Sequence, residues 1–133
     1  MVLWHVPGVA AELSVVDGHA IVVADRAGVI RAWDAGAERL FGHAAGAAIG
    51  RTLDLVVPEA YRERHWAGFH RAMATGESRL DRRSAVIPVL LASGETTPVP
   101  ATFYFLRDAA DRPVGAVALY TPGLDSPDLP RLG

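Results

Sequence analysis

The chain has 133 residues, half of them hydrophobic, 21% charged, with a formal net charge of -2. That is enough for one domain with a real core and too little for two of average size. The absence of cysteine excludes disulfides, thiolate metal sites, cysteine nucleophiles and cysteine-linked chromophores, and the acid–base balance leaves no basic footprint for nucleic acid.

The longest apolar run, Ala85 to Ala92, has eight residues and contains Pro88, against roughly 20 needed to span a bilayer. The N-terminus has no basic segment leading into an apolar stretch, so the expected location is cytoplasmic and no membrane partner is expected.

Residues 1–17 carry Val9, Ala10, Leu13 and Val16 after Pro7-Gly8. This spacing predicts a short amphipathic helix or cap that covers a sheet edge or face, or pairs with another copy. Ala20 to Ala24 reads as a strand, Asp25-Arg26-Ala27-Gly28 as a turn, and Val29 to Trp33 as the second strand of a hairpin. Asp34 then caps a helix over Ala35 to Phe41, stopped by Gly42. The ten residues from Gly42 to Arg51 hold three glycines and four alanines, which predicts a loose stretch, at best a broken helix.

Pro58 to Gly76 reads as one helix, opened by the proline and closed by the glycine. Two longer segments follow, Arg79 to Ala92 and Thr96 to Arg107, separated by Ser93-Gly94-Glu95. A turn over Asp108 to Pro113 leads into a last strand ending at Tyr120. Residues 121–133 hold three prolines and no periodicity, and read as a tail. A hairpin, a helical crossover and a three-stranded meander make an α+β fold: a five-stranded antiparallel sheet with helices on one face. Such a fold leaves room for a pocket between crossover and sheet.

The long helix is where a ligand would announce itself. With 3.6 residues per turn, Tyr61, Phe69 and Ala72 share the face of His65, and Gly68 borders it, while Arg62, Glu63, Arg64, His70 and Arg71 lie elsewhere. His70 points roughly 140° away, so the two histidines cannot chelate one metal. A single inward histidine has two readings. It is a core histidine bonded to a carbonyl, or it is the axial ligand of a haem, with Gly68 letting a flat macrocycle approach. The second reading needs cations for two propionates, for which Arg71 and Arg79 are candidates. It also needs an apolar wall, for which Leu80, Ala85, Ile87, Ala101 and Phe103 are candidates.

At this point the sequence resembles the PAS domain family. The match rests on Ala20 to Asp34, on Ala37-Glu-Arg-Leu-Phe-Gly, Ile49-Gly-Arg, Val57-Pro-Glu and Ser93-Gly-Glu, and on Gly115. It spans about residues 18–120. Within that family the helix is similar to that of the haem-binding oxygen sensors of rhizobial histidine kinases, in which five residues, the last an arginine, separate Pro-Glu from the proximal histidine, as they separate Pro58-Glu59 from His65 here.

The resemblance implies haem b bound through His65, with Arg71 at a propionate-binding position. Ala85 stands where those sensors carry the arginine that bonds dioxygen, and Ala101 and Phe103 fall on distal aliphatic positions. An apolar distal side suits carbon monoxide or nitric oxide. The expectation is therefore a stand-alone haem PAS sensor of a diatomic gas (CO, NO or O2). It would act as a homodimer or through an unidentified signalling partner protein, because no kinase, cyclase or DNA-binding segment is recognised in the chain. The alternative is a haem-free PAS module for dimerisation or for a small apolar metabolite. No serine–histidine–acid or paired-carboxylate spacing is recognised, so an enzyme is not expected, apart from adventitious peroxidase-type chemistry of a bound haem.

Overall fold

The computed structural model describes residues 18–123 and 127–132. The predicted N-terminal helix lies outside the described residues. Strands β1 (Ala20–Asp25) and β2 (Ile30–Trp33) form the first hairpin. Its turn is organised by Asp25, whose Oδ1 accepts from the backbone N–H groups of Ala27 and Val29 at 2.9 and 3.0 Å.

Helix α1 (Ala35–Phe41) starts at Asp34, whose Oδ1 accepts from Ala37 N–H at 2.8 Å and from Ile21 N–H at 2.9 Å. One carboxylate thus caps the helix and ties it to β1. Gly42, at φ 86°, ends the helix in the left-handed conformation, where a Cβ is penalised. The glycine–alanine stretch holds only a four-residue helix, α2 (Ala45–Ala48), the short broken helix its composition allows.

The helix expected from Pro58 begins later. Glu59–Tyr61 form a 3-10 turn, and the α-helix, α3, runs Arg62–Thr75 before Gly76 closes it. Pro58 itself keeps ψ at 143°, an extended value, so the helix cannot propagate from it.

The meander comprises β3 (Ser84–Leu90), β4 (Thr96–Arg107) and β5 (Pro113–Tyr120). Strand β3 is shorter than its apolar segment, and Arg79 falls in the turns before it. Asp81 accepts from Phe105 N–H at 3.0 Å, and Arg82 adopts φ 61°, which turns the chain before pairing begins.

All five strands form one antiparallel sheet in the order β2-β1-β5-β4-β3. β2 and β3 are opposite edges, so the crossover between them must cross the whole sheet. That is why α3 comes to lie across β5, in the middle. The core sits on the helical face, built from Val22, Ile30, Trp33, Phe41, Val89 and Tyr120 among others.

The last residues are not the structureless tail their composition predicts. Val86 N–H donates to Pro130 O at 2.8 Å and Leu132 N–H donates to Val86 O at 2.8 Å, placing the segment parallel to β3. An edge strand leaves unpaired backbone groups, and residues 130–132 satisfy part of that edge.

Candidate functional site

The site is a cavity of about 350 Å³ between α3 and the sheet, in the lower part of the range that ligand pockets span. Its existence follows from side-chain size. β5 presents Ala116 and Ala118 to the helix, β1 presents Ala24, and α3 answers with Gly68 and Ala72. Small residues face small residues, so helix and sheet cannot close to the native packing density.

The roll of α3 is set by contacts outside the cavity. Trp66 Nε1 donates to Asp54 Oδ1 at 2.7 Å, and Arg62 Nε donates to Val57 O at 3.0 Å. The indole lies against the hairpin turn so closely that a Cβ on Gly28 would come within 2.3 Å of it. With Trp66 pinned on one side, His65 faces the cavity. Tyr61, Gly68, Phe69 and Ala72 share that wall.

His65 is the notable polar group of this wall. Its Nδ1 is buried and has no hydrogen-bond partner among the described residues. Its ring stacks on Phe69, with centroids 6.0 Å apart, and meets Trp66 edge-on at 5.0 Å. Burial holds its pKa below 6.5, against the opposing pull of Asp54, with a smaller push from His70 in the same direction as burial. The imidazole is therefore neutral at pH 7, the form that can donate a lone pair. His70 is exposed and stacks on Trp66 at 5.4 Å instead.

Gly68 is a mid-helix glycine with no packing reason. A Cβ there would meet nothing within 4 Å, although glycine costs a helix about 1 kcal/mol relative to alanine.

The structure brings together His65, Gly68, Phe69, Leu80, Ile87 and Phe103 around the cavity. It does not bring in four other expected residues. Arg71 and Arg79 are exposed and off the lining. Ala85 and Ala101 pair with each other across β3 and β4 and are buried beyond the cavity wall.

The arginine that does line the cavity is Arg64, whose guanidinium lies 5.2 Å from the Tyr61 ring centroid. The helical wheel puts Arg64 off the inward face, because angular position ignores the reach of a long side chain lying over an aromatic face. The lining also includes residues that the sequence pattern does not single out, among them Ser78, Tyr120 and Leu132. Strand alternation could have found Tyr120, which follows Ala116 and Ala118 on one face. Nothing local could have found Leu132.

A family model described as the PAS fold matches residues 16–122, and the chain belongs to that family, whose members are sensory, signal-transducing modules. A protein of Azorhizobium caulinodans is 36% identical over 106 residues, covering 70% of this chain and 14% of that protein. The chain thus spans about a seventh of the length of this relative.

Among solved structures, the PAS domain of a Colwellia psychrerythraea protein superposes with a TM-score of 0.66 at 21% identity, covering 84% of this chain and 92% of that one. The PAS domain of the Cronobacter turicensis quorum-sensing receptor RpfR, in complex with C12:0, gives 0.61 at 15% identity, covering 80% and 95%. At these identities the likeness is one of fold. No helix among the described residues is long and apolar enough to cross a membrane.

Proposed function

We propose that this PAS domain is a haem-based sensor module: its cavity takes a b-type haem with His65 as the iron ligand, and a diatomic gas is the signal. The observation that carries this reading is His65 itself, a neutral imidazole on the cavity wall whose buried Nδ1 has no hydrogen-bond partner among the described residues. Buried polar atoms are ordinarily satisfied, and exceptions need a reason.

The donor set suits a metal that brings its own macrocycle. Among the described residues no three His, Cys, Asp or Glu side chains cluster to hold a bare ion, and one imidazole suffices for haem iron. Bound there, the haem supplies an iron with a position open to a gas.

The chain's own residues do the rest. Tyr61 and Phe69 flank the imidazole, and Gly68 leaves the helix surface open. Arg64, Gly68 and Leu80 are exposed at the rim, where a group larger than the closed cavity has room to extend. Arg64 supplies a cation there for a carboxylate. Arg71 and Arg79 stay available only if their long side chains fold back over that rim.

The test is hemin titration. We expect saturable, one-to-one uptake with a Soret band, lost in His65→Ala while the far-UV circular dichroism is unchanged. An unchanged spectrum and stoichiometry in His65→Ala removes the ligand assignment. A second reading, a haem-free module for a small apolar molecule, is favoured by the apolar lining and modest volume of the cavity. RpfR's complex with C12:0 is one precedent for a PAS domain holding such a molecule. That reading predicts a colourless protein with weak, non-saturating hemin uptake.

A further inference from the structure

A second polar group lines the cavity from the sheet. Tyr120, the last residue of β5, is 4% exposed and lines the cavity. Its ring is held edge-on against Phe41, with centroids 5.1 Å apart. Its hydroxyl has no hydrogen bond to any described residue, whereas the neighbouring polar groups of the sheet, Ser84 and Thr102, bond each other. The hydroxyl is not completely enclosed, since among the described residues only His65 Nδ1 is both fully buried and unpartnered. Here Phe41 orients the ring but offers nothing to the oxygen.

Burial pushes the Tyr120 pKa above its ordinary 10.0, so the phenol stays protonated across the neutral range. The rest of the sheet wall, including Val22, Ile87, Val89, Phe103 and Ala118, has no side-chain donor at all.

We propose that Tyr120 is the specificity-determining hydrogen-bond donor of the cavity, selecting ligands that place an acceptor atom against the sheet. The proposal rests on the haem reading above and deepens it. Ala85 of β3 carries no donor and lies off the cavity. β5 supplies a donor from another strand. The gas side of the site is then polar at one point, which favours a polarised diatomic over one that a wholly apolar wall would accept equally well.

Tyr120→Phe removes only the oxygen and keeps the ring against Phe41, so folding should be preserved. The experiment uses hemin-loaded, reduced wild-type protein and the variant, each under carbon monoxide. The C–O stretching frequency is the readout, with oxygen dissociation as the second measurement. We expect the stretch to rise in Tyr120→Phe and oxygen to leave about fivefold faster, the factor that one ordinary hydrogen bond supplies.

A stretch and a dissociation rate identical in the two proteins overturn the role of Tyr120 and leave His65 untouched. If wild-type protein takes up no stoichiometric hemin, the haem reading falls first and this proposal falls with it.

Discussion

The two ends of the helical face are built on opposite principles. Under α1, aromatic side chains interlock: Trp33 and Phe41 sit 5.1 Å apart, Phe41 and Tyr120 likewise, and Ile30 and Ala37 are fully buried. Under α3, alanines and a glycine face one another and leave about 350 Å³. Both ends use the same sheet. The difference is side-chain volume, and it shows that one end holds the fold while the other is kept open against the normal tendency of interiors to fill. Tyr120 belongs to both, with its ring packed at the closed end and its side chain lining the open one.

Substitutions separate the two ends. Phe41→Ala should cost about 3–5 kcal/mol, because it empties the centre of the closed end; urea denaturation measures it, and a loss below about 1 kcal/mol would mean that the two ends are equally loose. Ala118→Leu places bulk in the open end. It should abolish hemin uptake while raising stability by about 1 kcal/mol, since it fills space rather than overpacking it. Equal destabilisation by Ala118→Leu and Phe41→Ala would erase the contrast.

Gly68→Ala is the sharper version. The added Cβ meets nothing, so helix propensity alone should add about 1 kcal/mol of stability, while hemin affinity falls. If affinity and stability rise together, Gly68 has no part in the site.

The smallest effect is in pH. The folded-state pKa of His65 lies below its ordinary 6.5 because of burial. Below pH 6.5 the unfolded chain therefore binds the extra proton first. Stability should be fully present above that pH and decline as pH falls toward the folded-state value. In His65→Gln this decline disappears, leaving the carboxylate window below pH 3.8. There the unfolded chain takes up protons first, while Asp25, held low chiefly by its bond from Arg31, and Asp108, held low chiefly by the Arg112 backbone N–H, stay ionised in the folded state to lower pH, so stability falls with pH.

Some of this was legible in local pattern. The Asp34 cap, the Gly42 and Gly76 stops, the long β4 strand and the inward face of α3 all follow from short-range rules, because each depends only on neighbours within about one turn or two residues. The PAS resemblance named the sheet and its helical face, and the structure agrees. Local pattern failed where distant chain decides. Asp81 and Arg82 shorten β3 through their bonds to β4. Residues 130–132 gain a place only because β3 is an edge. Arg64 enters the cavity by lying over Tyr61, and Arg71 and Arg79 stay out of it.

The sequence by itself determined the family, the order of the elements and that His65 points inward, since periodicity states which side of an element a residue occupies. Only the tertiary structure decided that the inward space is a cavity. Whether two facing surfaces meet depends on the summed bulk of residues far apart in the chain, here Ala24, Gly68, Ala116 and Ala118. The same assembly brought Tyr120 of β5 and His65 of α3 to the lining of one cavity.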